Sequence, residues 1–332
     1  MTLPRQVVAG RTLLLTRRCA ERRFFLRPSP GGEVQEVLLY GLALAAERHG
    51  VEVHGFCALS NHVHGVVTDV EGELPRFAQQ FHGNVARAIN VHLGRGEALW
   101  ATGKSYSAVH CVSREDVLAR LVYTICNPVA ADLVDRPEDW PGVRFLPEDV
   151  GREVLAPRPR CFFRAPGDGE GGEGGEGGAG ETARDRARRR APARGCLPDV
   201  VRLRITRPPQ FGDLTDAEFA RLLRERVDAQ VAAIHAEREA RGLTRSLGVR
   251  AILRQDPYGA PPGGTRPEGD LNPRVAARDP WKRIEAKQAL TAFWVEHRRC
   301  FLAFRAGHRR VAFPAGTWAA VRVMGARARP AA

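Results

Sequence analysis

Residues 51 to 68 read VEVHGFCALSNHVHGVVT: two runs rich in β-branched and aromatic residues, with Ser60 and Asn61 between them. Such runs favour extended backbone and a Ser-Asn pair favours a turn, so the stretch is predicted to fold as an antiparallel β-hairpin. Successive strand side chains point to opposite faces, so His62 and His64 project one way and Val63 the other. Two imidazoles on one sheet face suit a shared ligand, although ordinary half-buried strand packing is the commoner reason for such a pair. Spacing alone leaves both readings open.

The flanking segments say what the hairpin pairs with. RTLLLTRR (11 to 18) has strand character, and GEVQEVLLYGLALAAERHG (32 to 50) reads as a helix closed by Gly50. After the hairpin, Leu74, Phe77, Phe81, Val85, Ile89 and Leu93 recur at helical spacing within 73 to 96, and SYSAVHCV (105 to 112) returns to strand character. The order is βαββαβ, followed by another helix. This predicts an α+β fold, a ferredoxin-like split βαβ sheet with helices on one face and an open face free to carry a site.

The helix after the fourth strand begins at Ser113, where Ser113 and Asp116 have capping-box spacing. Val117, Leu118, Leu121, Val122 and Ile125 make its apolar band, whereas Tyr123 and Asn127 lie four residues apart, one above the other on a different flank. Pro128 disfavours helical backbone in the residue before it, so the helix is expected to end or kink at Asn127. A helical tyrosine is more often packing than chemistry, and this flank by itself does not decide between them.

Residues 167 to 181, GDGEGGEGGEGGAGE, contain almost only Gly and Glu, and TARDRARRRAPARG follows to 195. Neither run can bury enough apolar surface to offset chain entropy. The expected organisation is therefore a domain over 1–150, a disordered Gly/Glu then Arg-rich linker over 165–195, and a mainly helical accessory domain over 196–332. In that last part, 215 to 239 and 279 to 307 read as long amphipathic helices and 309 to 323 as a closing strand or hairpin segment.

Lys and Arg number 51 against 38 Asp and Glu, a net charge of +13, which favours an anionic polymer as partner. The seven cysteines are scattered, without a C-x-x-C, so neither a disulfide framework nor a zinc knuckle is indicated and a reducing cytoplasm is the expected location. The N-terminal apolar run is too short for a signal sequence or a membrane span, so no membrane partner is expected.

LSNHVHGVV (59 to 67) together with YTICNPVAADLVDRPEDWP (123 to 141) resembles the paired motifs of the HUH-type single-tyrosine transposases, particularly the REP-associated branch. The resemblance spans about residues 10 to 147. It implies that His62 and His64 hold a divalent metal, with Mg²⁺ or Mn²⁺ expected, that Asn127 is the third ligand, and that Tyr123 is the nucleophile. It further implies cleavage of single-stranded DNA beside a hairpin or palindromic repeat through a 5′-phosphotyrosine intermediate, followed by strand transfer. That chemistry asks for a nucleophile, neutralisation of phosphate charge and in-line alignment, which these residue types can supply.

Candidate backbone contacts are Arg17, Arg18, Arg22, Arg23, Arg87 and Lys104. The arginine-rich helices of the second half could clamp hairpin DNA or a second subunit in a homodimer. Tyr40, Tyr106 and Tyr258 lack a following Asn-Pro, and His54, His82 and His92 read as structural. Two other classes compete: a domesticated hairpin-DNA-binding protein without transposition activity, and an RNA-binding ferredoxin-like module. The quartet is superfluous for mere binding, and neither strand carries an RNP-like aromatic pair.

Overall fold

The structure, a computed structural model, describes residues 3–102, 105–160, 162, 197–243, 245–262 and 274–330. The order read from the sequence is present: β1 (Arg11–Arg18), α1 (Glu33–Arg48), β2 (Val51–Leu59), β3 (His62–Asp69), α2 (Leu74–His92), β4 (Ser107–Cys111) and α3 (Arg114–Ala130). Gly50, in the left-handed region at φ 57°, closes α1. The sheet order is β2-β3-β1-β4, extended by a short β7 (Val275–Ala276) beside β4. β1 runs antiparallel to both β3 and β4, β2 antiparallel to β3, and β7 parallel to β4. This is an α+β split βαβ sheet.

Alternation along β1 divides the interior into two cores. Leu13 and Leu15 face α1 and α2, where Leu38, Leu42, Phe77, Phe81 and Ile89 are buried. Burying a side chain of this size contributes about 1.5–3 kcal/mol, which stabilises helices that would be marginal alone. Leu14 faces the opposite way, toward Val117, Leu121 and Ile125 of α3. The face expected to be open is thus covered along most of its length by α3.

A bulge in β2 decides which residues reach that face. The β2–β3 register shifts between Val53 and Gly55. Val53 packs with α1 and α2, and so do Phe56 and Ala58, whereas Cys57 and Leu59 pack toward α3. One extra residue flips the alternation. His54 occupies the bulge, its two ring nitrogens engaged by Thr68 Oγ1 at 2.7 Å and the carbonyl of Thr206 at 2.9 Å.

Chain beyond residue 196 returns to this core. β5 (Glu153–Pro157) pairs antiparallel with β6 (Val200–Arg204), and Val201, Leu203 and Ile205 join the core under α1. α4 (Asp216–Ala240) opens with a Thr215/Glu218 capping box and lays Phe219, Leu223, Val227 and Ile234 into the core of α3. α4 thereby completes the core on the side of the histidines. α5 (Val249–Leu253), α6 (Pro280–Arg305) and α7 (Trp318–Met324) follow. Phe304, Phe313 and Ala320 form a small satellite core at the C-terminal end.

Three expectations need correction or a boundary. The segment 309 to 323 is mostly turn and α7; its strand is only β8 (Ala312–Phe313), parallel to β9 (Arg327–Ala328). α3 does not end at Asn127 but continues through Pro128 to Ala130. Pro128 stands so near the C-terminus that the missing N–H costs one bond, and Leu133 N–H still reaches its carbonyl at 3.0 Å. The expected linker, 165–195, lies outside the described residues. Among the described residues no helix is long and apolar enough to cross a membrane.

Candidate metal and nucleophile site

β3 and α3 build the site together. Strand periodicity places His62 and His64 on one face, with ring centroids 4.7 Å apart and planes at 89°. The Ser113/Asp116 capping box starts α3 and sets its phase: Ser113 Oγ accepts from Asp116 N–H, and Asp116 carboxylate accepts from Ser113 N–H. Along that helix Tyr123 meets His64, centroids 5.2 Å apart at 83°, and the Asn127 side chain one turn on lies within hydrogen-bonding reach of His62.

The close seating of α3 depends on a glycine. A Cβ at Gly55 would stand 2.7 Å from Leu121 Cδ2, nearer than carbon atoms pack. The bulge that turns Cys57 and Leu59 toward α3 therefore also removes the side chain that would hold the helix off. Tyr123 remains 42 % exposed, whereas His64 and Asn127 are 4 % and 8 % exposed. The phenol faces solvent while its neighbours are anchored beneath it.

The ring nitrogens of His62 are individually assigned by their partner. His62 Nδ1–H donates to Asn61 Oδ1 at 2.6 Å, which leaves Nε2 with its lone pair. His64 Nδ1 lies 3.0 Å from Thr16 Oγ1, and His64 Nε2 is buried with no hydrogen-bond partner. Such outer contacts hold ligand imidazoles in one orientation. Asn61 also donates to the Arg22 carbonyl at 3.1 Å, and its own carbonyl accepts from Cys19 N–H at 2.8 Å, so it ties the hairpin turn to the end of β1.

Burial pushes the His62 imidazolium down to about 4, reinforced by the nearby Arg18 and Arg22 guanidinium groups. Burial, His62 and Arg18 hold His64 well below the usual histidine range. Both rings are neutral at pH 7, the form that ligates a cation. Arg18 gets there through register, standing opposite His62 across the β1–β3 ladder. Arg22 does so through a turn in which Glu21 and Arg22 both take left-handed backbone, φ 50° and 58°.

Of the other predicted contacts, Arg17 points to the opposite face, where Arg5 and Tyr106 are its electrostatic neighbours. Arg23 is engaged by Glu21 at 2.8 Å and by the Tyr258 carbonyl. Arg87 donates to Asn84 on α2, in the layer covering the other side of the sheet. Lys104 lies outside the described residues. Among the described residues, Tyr40 and Tyr258 donate to the carbonyls of Pro198 and Leu93, and Tyr106 is buried beneath Arg5. His82 is buried against Trp100 and Tyr106, and His92 is exposed at the end of α2.

Sequence reasoning missed Thr16 and the positioning role of Asn61. Asn61 was legible only as a turn residue, although its place beside His62 was a signal. Thr16 carried none, because only the strand register brings it to His64. Among the described residues no group of three or more His, Cys, Asp or Glu side chains is placed to hold a metal ion.

No family model matches the chain, and no curated protein does. Among solved structures, the chain is similar to a REP-associated tyrosine transposase bound to a REP hairpin, at 17% identity and TM-score 0.35, over 55% of this chain and 99% of that one. It is also similar to a protein provisionally described as a transposase from Deinococcus radiodurans R1, at 22% identity and TM-score 0.25, over 33% of this chain and 85% of that one. The functional reading below rests on the site's own residues.

Proposed function

We propose that this chain is a metal-dependent DNA strand transferase of the HUH single-tyrosine kind, acting on single-stranded DNA that carries a hairpin. The observation that carries the proposal is the convergence of His62, His64, Asn127 and an exposed Tyr123 from one strand and one helix.

The residues fit a divalent cation. His64 Nε2 is a buried nitrogen without a partner, His62 Nε2 keeps its lone pair because Nδ1 serves Asn61, and Asn127 adds an amide oxygen beside them. A mixed N/O set of this kind accepts Mg²⁺ or Mn²⁺ and leaves positions for phosphate. When bound, the ion supplies Lewis-acid polarisation of the scissile phosphate and offsets its charge.

The chain's own part is positional and nucleophilic. Tyr123 Oη forms a bond to phosphorus as the bond from phosphorus to the 3′ oxygen breaks; the phenolic proton passes to solvent, and the leaving oxygen takes a proton from solvent to become a 3′-hydroxyl. The resulting 5′-phosphotyrosine keeps the bond energy for rejoining to another 3′-hydroxyl. Arg18 and Arg22 give the approach to His62 the positive field that a DNA backbone requires. A perfect duplex hides its phosphates among paired strands, so a single strand beside a hairpin suits an exposed tyrosine seated over a shallow site.

The test is a denaturing gel of the full chain incubated with Mn²⁺ and a labelled single strand bearing an imperfect hairpin. The wild type forms a protein-linked DNA band, and Tyr123→Phe binds the hairpin but forms none. Adduct formation by Tyr123→Phe, or equal cleavage of the same sequence as perfect duplex, overturns the reading. Tight hairpin binding without adduct in either protein identifies a domesticated binder instead.

A further inference from the structure

On the other face of the sheet from the histidines, three arginines crowd around Tyr106. Arg5 stacks its guanidinium 3.7 Å above the Tyr106 ring and donates to the Tyr106 carbonyl. Arg17, near the end of β1, and Arg274, in the residue before β7, are both electrostatic neighbours of Arg5 and Tyr106. Each has a buried N–H group with no acceptor: Nε of Arg5, Nε of Arg17 and Nη1 of Arg274. Among the described residues none of the three is in an ion pair.

Like charges do not gather in a partly desolvated place without cost. Burial, and then the Arg5 charge, depress both the Arg17 and the Arg274 guanidinium from the usual arginine range. Water could accept the three N–H protons, but it would leave the charges uncompensated. An anion does both, and guanidinium groups match phosphate oxygens in geometry.

There is room for it. A cavity of about 310 Å³ opens beside Arg5 and Arg274, between the N-terminal segment, β4 and α6. Arg5, Arg11, Arg274 and Lys282 bring four positive charges to its lining against a single carboxylate, Glu285. His110 lines it too, held neutral by burial.

We infer that Arg5 and Arg274, with Arg11 and Lys282 on the same cavity, form a phosphate cradle that grips a backbone phosphate of the DNA strand away from the scissile bond. The DNA assignment rests on the function proposed above; the anion site rests on the geometry alone. Arg17 and Arg18 are consecutive on β1 and so project to opposite faces, Arg18 toward His62 and Arg17 toward Arg5 and Tyr106.

The test uses Arg274→Met, which removes one guanidinium of the cluster, with Lys282→Met as the second variant. Inorganic phosphate is titrated against the full chain by thermal unfolding, and a labelled hairpin-bearing single strand by anisotropy at several salt concentrations. Phosphate raises the wild-type midpoint. In Arg274→Met that rise is lost, the midpoint without phosphate is no lower than wild type because repulsion is relieved, and DNA affinity falls about ten-fold. The salt slope also falls by about 0.7, the change expected when the protein neutralises one phosphate fewer on a single strand. Lys282→Met behaves alike.

A phosphate shift that survives in both variants, or a midpoint that drops without phosphate, overturns the cradle. Loss of the phosphate shift with unchanged DNA affinity and slope overturns its assignment to DNA and leaves a site for free phosphate. These are binding readouts, so failure to form a tyrosine adduct sinks the strand-transfer reading and leaves the cradle standing.

Discussion

His64 presents its ring edge-on to Tyr123, centroids 5.2 Å apart and planes at 83°, although one is on β3 and the other on α3. The contact puts a neutral buried imidazole directly under the exposed phenol. It makes the strand pair and the helix one site, and it makes that site sensitive to anything that shifts α3.

Removal of a ligand has a graded signature. His62→Ala and His64→Ala abolish Mn²⁺ binding measured by calorimetry, and Asn127→Ala weakens it less because an amide oxygen is the poorest donor of the three. Asn61→Ala, which frees His62 Nδ1, lowers Mn²⁺ affinity by about 10–100-fold. Wild-type affinity in both histidine variants would return the pair to ordinary strand packing.

Helix position is controlled from β2. Gly55→Ala drives a methyl group into Leu121 and destabilises the fold by about 1–3 kcal/mol in urea unfolding. It also lowers adduct formation by moving Tyr123. Combined with Leu121→Ala, it destabilises by less than the sum of the two single effects, since truncating Leu121 makes the space. Strict additivity would mean that the two side chains do not meet.

The return of the second half is measurable at one buried charge. Arg238 of α4, 4 % exposed, donates to Asp132 Oδ1 at 2.9 Å, Asp135 Oδ1 at 2.6 Å and the Val129 carbonyl at 2.9 Å. It thereby pins the chain leaving α3. Arg238→Ala costs about 1–3 kcal/mol through its lost charge-assisted hydrogen bonds, the carboxylates left behind being partly solvated. A cost below about 1 kcal/mol would show the clamp to be dispensable.

Acid sensitivity follows from two histidines outside the site. Burial pushes His54 down to about 4 and His82 down to about 3. Above the unfolded value of about 6.5 neither state binds these protons and stability is full. As pH falls from there toward the folded values, the unfolded chain takes up protons that the native one refuses. Stability then declines by up to about 1.4 kcal/mol per pH unit for each histidine. His82→Phe flattens the pH dependence of the urea midpoint between pH 6 and 4; an unchanged slope would mean that His82 is protonated in the folded state.

Local periodicity was enough to read much of this molecule from its residues. Alternation in a strand puts His62 and His64 on one side, a helical turn separates Tyr123 from Asn127, and a capping box starts α3 at Ser113, because each follows from backbone geometry within a few residues. The order βαββαβ was legible for the same reason. What lies between distant segments was not. Register alone sets Thr16 under His64 and Arg18 beside His62, and sends the neighbouring Arg17 to the other face. The bulge at His54 reverses the faces of β2, and Gly55 admits α3, through packing that no local pattern records. The helical pattern of 215 to 239 said that an apolar face would be buried, but not against what; only the fold shows it closing over α3. Secondary structure answers to neighbours along the chain, whereas register, close approach and the choice of packing partner are settled by apolar burial across it.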